Sequence, residues 1–261
     1  MSRLLRAEWR KLVTTKLWWG MLIGAVAFTA ISVFAQLATN GLKRSQELPL
    51  GTGIEQRAIL ASASVGYIFS MVVGIIFMTT EFRHFTSRPT FLIEPRRGRV
   101  VVAKVITGAG LGVLYGLVCS AVAVALMVPW YSSKGITLGW ASNDLYLVLL
   151  AVFGVVAIFA VVGVGIGVLI RNQITAVISA LVWFLLLESL IGALSTLWAW
   201  LADIYKFLPA AAASAMTQID AAPGRGGITL LVPWQGAIVL AAWGLLFAIA
   251  GWVTLTRRDV A

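Results

Sequence analysis

Side chains able to do acid–base, nucleophilic or metal chemistry are few in this sequence, and one stretch is unusually rich in charge. Residues 79–105, TTEFRHFTSRPTFLIEPRRGRVVVAKV, hold six cationic side chains, the carboxylates Glu81 and Glu94, the single histidine His84 and two of the seven prolines. Intramembrane hydrolysis needs paired polar groups at depth, such as two aspartates, a serine with a histidine, or several metal ligands, and no such pairing is visible. The one cysteine, Cys119, lies in an apolar run, so a single chain forms neither a disulfide nor a cysteine metal site. No G-x-x-x-x-G-K-[ST] run occurs, which removes the usual nucleotide phosphate loop. Outside the stretch the notable residue is Glu188, in FLLLESLIGALSTLW, the only charge well inside an apolar run. An ionisable group there is costly. It marks a polar pathway, or else it is protonated or hydrogen-bonded between helices, with Ser189 and Ser195 as neighbouring polar groups.

The elements that must position these residues follow from composition. Of the 261 residues 60% are hydrophobic and 11% charged, and the mean hydropathy of +0.95 lies far from the globular average. The formal charge of +10 is carried mainly beside apolar runs. That is where topology signals and lipid contacts sit, so membrane lipids are expected partners and nucleic acid is not. Six runs are long enough to cross a bilayer, at about 17–37, 58–80, 105–128, 145–170, 174–199 and 235–256. All seven prolines fall outside them, as helix ends and loops require. The basic start MSRLLRAEWRK followed by an apolar run has the outline of a signal peptide, but Leu17 to Leu37 has the length of a retained span. Gly108-Ala-Gly-Leu-Gly112 has the outline of a dinucleotide loop, yet it lies in an apolar run with no strand before it. Those glycines continue to Gly116 at every fourth position, as do Gly163 and Gly167, which suits close helix packing in lipid.

Lysine and arginine orient the spans. Fourteen lie on the side of the N-terminus, the second connection and the C-terminus, against six on the other, which makes both termini and residues 80–104 cytoplasmic. At 100° per residue Leu5, Trp9, Leu12 and Val13 share one face of the N-terminal segment, and Arg3, Arg6 and Arg10 fall on another. This pattern predicts an amphipathic helix lying in the membrane interface.

Within the opening stretch, Phe82 and Phe85 stand at helical spacing with Glu81, Arg83 and His84 on other faces, and Pro89 discourages continuation. A short surface helix of this kind would present polar groups to a soluble partner. Glu94-Pro95-Arg96-Arg97-Gly98-Arg99 reads as a turn, and Val100 to Lys104 runs into the next span.

These residues resemble the permease subunits of type-2 ATP-binding-cassette exporters, the bacterial antibiotic-resistance and sodium-export kind. The family pattern here is roughly glutamate-hydrophobic-arginine, threonine, a hydrophobic pair, Pro-x-Arg, and Ala-Lys opening the third span. The chain has Glu81-Phe82-Arg83, Thr86, Thr90-Phe91-Leu92, Pro95-Arg96-Arg97 and Ala103-Lys104, with Phe85 where the family often has glycine. The architecture agrees over the whole chain: an all-α integral membrane protein with six spans, a basic N-terminal helix and a longer fifth connection. The resemblance implies two permeases, identical or related, enclosing a route, with ATP and Mg held by two separate cytoplasmic ATPase subunits. The chain itself would bind no cofactor and catalyse no reaction. Thr80 to Arg88 would be the coupling helix, with Glu81, Phe82, Arg83, His84, Phe85 and Thr86 meeting the ATPase. Pro95, Arg96, Arg97 and Lys104 would shape the turn that follows, and Ser2 to Lys16 would be the connecting helix. Residues 200–234 would lie outside, either as short re-entrant helices capping the exit or as an interfacial loop. The location implied is a bacterial cytoplasmic membrane. Two other readings stand beside this one: an ion-driven secondary transporter, for which a single buried Glu188 is sparse equipment, and a scaffold that docks a cytoplasmic protein through 80–104.

Overall fold

A computed structural model describes residues 2–41, 51–83, 97–217 and 230–257. Among the described residues every regular element is helical, as the bilayer demands of backbone that cannot hydrogen-bond to solvent. Helix α1 is Ser2–Thr14, α2 Leu17–Gly41, α3 Gly53–Ala61, α4 Tyr67–Arg83, α5 Arg97–Ser133 and α6 Leu145–Leu169. After these come α7 Gln173–Leu181, α8 Glu188–Ser195, α9 Ala199–Tyr205, α10 Pro209–Thr217 and α11 Pro233–Arg257. Among the described residues six helical stretches are long and apolar enough to cross a membrane, namely Leu17–Thr39, Gly53–Glu81, Gly98–Ser133, Leu145–Leu169, Gln173–Ser195 and Pro233–Thr254. This is the architecture of a multi-pass membrane protein.

The fourth span, α6, has the highest hydropathy and sits at the centre, packed against α4, α5 and α11. A helix apolar all round belongs inside a bundle. Its neighbours come close because glycine removes the side chain at the contact. A Cβ on Gly112 of α5 would lie 2.6 Å from the Ala157 Cα, and one on Gly163 would collide with the Met71 carbonyl of α4. The four-residue glycine spacing is therefore a packing seam. The outward faces of α2, α7 and α11 leave large apolar residues such as Ile31, Ile174 and Leu245 exposed, as lipid-facing surfaces do.

Several spans differ in detail from the hydropathy reading. The second is built in two pieces, α3 and α4, joined by a tighter 3₁₀ turn at Ser62–Gly66. There Ser62 Oγ donates back to the Ile59 carbonyl at 2.6 Å, and Gly66 lets the backbone approach the buried Cys119 thiol. The third span is far longer than 105–128. At 1.5 Å per residue its 37 residues cover about 55 Å, more than a hydrocarbon core of about 30 Å. It begins at Arg97, so Arg97, Gly98 and Arg99 are its first turn instead of a loop. It also runs through Pro129, against the expectation that all prolines lie at ends. Pro129 stands one turn from the C-terminus, where the missing N–H costs a single hydrogen bond to a helix about to stop. Pro209 and Pro233 do open helices, α10 and α11, at the position where an amide N–H would be unsatisfied anyway.

At the end of the bundle away from α1, Gln56 ties α3 to the connection between α5 and α6. Its Oε1 accepts from the Gly139 N–H (3.0 Å) and Asn143 Nδ2 (2.9 Å), and its Nε2 donates to the Thr137 carbonyl (3.3 Å). The fifth connection holds two short helices, α9 and α10, among its described residues. Exposed α9 carries Trp200 and Ile204 outward, and alanine-rich α10 is buried along α11.

Candidate functional site

Four charged side chains meet where α1 crosses the ends of two spans. Helix α1 supplies Glu8 and Lys11, three residues apart and so on one side of the helix. The last turn of α4 supplies Glu81, and the second turn of α5 supplies Lys104. Glu8 Oε1 lies 2.7 Å from Lys11 Nζ and Glu8 Oε2 lies 2.6 Å from Lys104 Nζ. Glu81 Oε1 accepts from both lysines, at 2.9 Å from Lys11 and 2.8 Å from Lys104. The result is a closed ring of alternating charge with no net charge. Lys104 and Glu8 are each 1% exposed, while the Lys11 side chain is 42% exposed and forms the outer edge. The Phe77 ring, one turn before Glu81, lies 4.4 Å from Lys104 Nζ and covers its remaining face. Thr79 and Thr80 just before Glu81 return their hydroxyls to the Ile75 and Ile76 carbonyls, so the ring meets no competing donor from them.

Burial lowers the pKa of the Lys11 ammonium, but the hydrogen bond to Glu8 and the charge of Glu81 outweigh it and raise the group above its ordinary value. At Lys11 the two carboxylates therefore hold the proton on the ammonium. Removing one member would leave its partner ionised and buried, at a cost of about 3–5 kcal/mol. So long as it is closed, α1, the end of α4 and the start of α5 are joined as one unit.

This placement corrects the expectation for Glu81. The carboxylate lies inside the bundle among Glu8, Lys11, Lys104 and Phe77, and is not displayed on a surface helix. The reason is electrostatic, since two lysines on neighbouring helices need a second carboxylate to balance them. Phe82 and Arg83 close α4 as a continuation of the span, and Arg97 opens α5. His84, Phe85, Thr86, Pro95 and Arg96 lie outside the described residues, as do the rest of the turn before Arg97 and most of the expected Thr80–Arg88 helix. Glu8 was missed. Its sequence signal is that it is the only carboxylate in the basic N-terminal segment.

The second site is Glu188, 1% exposed at the first residue of α8. Ala176, Ala180, Phe184 and Glu188 form the buried stripe of the fifth span at four-residue steps. A regular α-helix would rotate such a stripe by about 40° per step. The wider π turn at Val182–Leu187 takes up that drift, and turns of this kind recur at functional positions. Glu188 Oε1 accepts from the Ala210 N–H at 2.6 Å, which places the carboxylate at the N-terminus of α10, where orphan amides and the helix dipole favour an anion. Its Oε2 makes no hydrogen bond of ordinary geometry among the described residues, although the Ala211 N–H also faces the carboxyl group. The partners expected nearby are not used, because Ser189 is exposed and Ser195 donates to the Gly192 carbonyl. Tyr67 of α4 lies within electrostatic reach of Glu188 and of Tyr205. The turn between α9 and α10 is held to α11 by Trp243 Nε1, which donates to the Phe207 carbonyl at 2.9 Å.

Among the described residues no group of three or more His, Cys, Asp or Glu side chains is arranged to hold a metal ion. No family model matches this chain, and no curated protein matches it.

Proposed function

We propose that this chain is the permease subunit of an ATP-driven exporter of the type-2 ATP-binding-cassette kind, in a bacterial cytoplasmic membrane. In this reading two permeases, identical or related, enclose the route, and two cytoplasmic subunits bind ATP and Mg and hydrolyse the nucleotide. The observation that carries the reading is the four-charge ring. It joins the helix before the first span to the two helix ends that flank the connection 84–96. A push delivered to that connection by a closing ATPase would pass to α1, α4 and α5 together and tilt them as a body. Phe82, Arg83, His84, Phe85 and Thr86, with the turn at Pro95, Arg96 and Arg97, then make the ATPase contact. Glu81 and Lys104 act as positioning residues that hold both ends of that segment. Helices α9 and α10 form the outer cap of the route, with Glu188 holding α10 in place. Efflux of drugs or ions, and resistance to an antibiotic, are the physiological roles this reading carries.

Affinity purification of the full chain from its own host tests it. The expected result is a stoichiometric nucleotide-binding subunit whose association weakens about tenfold or more on Arg83→Ala or His84→Ala, the loss of a charge-assisted contact. Transport with no co-purifying ATPase would overturn it.

One observation favours a second reading, an ion-driven carrier. Glu188 keeps one buried carboxyl oxygen that makes no hydrogen bond of ordinary geometry among the described residues, in a span, as proton and cation relays do. That reading requires uptake or efflux in sealed vesicles to follow an ion gradient without ATP and to stop on Glu188→Gln.

A further inference from the structure

Two hollows of opposite character meet at Lys11. One, of about 270 Å³, is a slot between the α1–α2 elbow and α4, walled by Leu12, Leu17, Trp18, Val73, Ile76 and Phe77. The hydroxyls beside it, Thr15 and Thr80, are already donated to helix carbonyls, so the slot is apolar except where Lys11 and Glu81 of the charge ring line it. The other is a shallow basic hollow on the outer side of α1, bounded by Arg6, Arg10, Lys11 and Thr14. Arg6 and Arg10 are exposed and have no carboxylate within ion-pair distance among the described residues. Lys11 has three N–H donors, of which Glu8 and Glu81 take two. An apolar slot with an uncompensated basic rim is complementary to one kind of molecule, an amphiphile with an anionic head.

We propose that the elbow between α1 and α2 is a binding site for an anionic glycerophospholipid. One acyl chain fills the slot against Val73, Ile76 and Phe77, and the phosphate rests on Arg6, Arg10 and the third N–H of Lys11. The slot is too small for a whole lipid, so the second chain stays in the bilayer. A general attraction of basic helices to anionic membranes would use the same arginines but not the slot, and this distinguishes the two. The bound lipid would lie against Lys11 and Glu81 and shield the exposed edge of the charge ring from water. The site requires α1 to lie at a bilayer surface and does not depend on the exporter reading.

Native mass spectrometry of the purified full chain, loaded with phosphatidylglycerol or with phosphatidylcholine of the same acyl chains, tests the site. The expected result is retention of phosphatidylglycerol about tenfold stronger, with no retention of soluble glycerol phosphate or inorganic phosphate at matched concentration. The double substitution Arg6→Ala/Arg10→Ala should abolish the preference. Ile76→Trp, or Thr80→Phe if the first is poorly folded by circular dichroism, fills the slot while keeping every charge and should abolish retention equally. A preference that survives both slot-filling variants would show generic attraction and overturn the proposal. So would equal retention of the two lipids, or binding of glycerol phosphate alone.

Discussion

Lys104 Nζ lies 2.6 Å from Glu8 Oε2, across 96 residues of sequence, and both side chains are 1% exposed. Two long-range contacts to Glu81 complete the arrangement and make α1 part of the bundle rather than a tail beside it. A buried ion pair gives little net stability against a well-packed apolar alternative, because desolvation offsets attraction, but breaking it from one side is expensive. That asymmetry makes the ring a joint with a defined closed state.

Lys104→Ala should therefore destabilise the protein by about 3–5 kcal/mol, since Glu8 and Glu81 would remain buried with only Lys11 between them. Lys104→Met combined with Glu8→Gln should recover part of the loss. A double-mutant cycle read by thermal unfolding in detergent measures this, and additive single effects would mean that the two residues do not interact in the folded state.

The raised pKa of Lys11 sets a sign for alkaline behaviour. The folded state holds this proton more tightly than the unfolded state, so the contribution is complete below 10.5 and is lost as pH rises through the folded value. Wild type should lose unfolding temperature more steeply than Lys11→Met above pH 10.5, and the two slopes should agree at lower pH. Parallel curves across the whole alkaline range would remove the assignment.

Glu188→Gln keeps an oxygen able to accept from the Ala210 N–H, whereas Glu188→Leu does not. The leucine variant should lose about 1–2 kcal/mol, the cost of an uncapped helix start, and should raise proteolytic sensitivity in α9 and α10. If the chain is a transporter, as proposed, and Glu188 only caps α10, the glutamine variant should match wild type in the vesicle assay. If its charge is used during transport, the glutamine variant folds normally and fails in the vesicle assay.

The helix seam gives a steric prediction with an internal control. Gly163→Ala would push a methyl group into the Met71 carbonyl and should cost about 1–3 kcal/mol by overpacking. Gly20→Ala meets nothing within 4 Å and should be neutral or stabilising by up to about 1 kcal/mol, from helix propensity. Comparison of unfolding temperatures checks both, and a neutral Gly163→Ala would mean that α4 and α6 are not in close contact.

Six spans and their order were determined by the sequence alone, because transfer into hydrocarbon is summed residue by residue along a segment and needs no knowledge of its neighbours. The same local rule picked out Gly112, Gly163 and Gly167 as a packing seam and Glu188 as a buried charge. It failed where a helix end depends on its surroundings, as at Arg97 and Pro129, both drawn into α5. It was also blind to partners. The four-residue stripe Ala176, Ala180, Phe184 and Glu188 is visible in the sequence, but the Ala210 N–H that receives the carboxylate belongs to another helix. Only the tertiary structure decided that Glu81 faces inward to Lys11 and Lys104 and that Glu8 completes the ring. A charge on a helix has the same sequence signature whether it meets water or a counter-charge. The difference is made by residues 70 and 96 positions away, which only the packing of α1 against α4 and α5 brings within 3 Å.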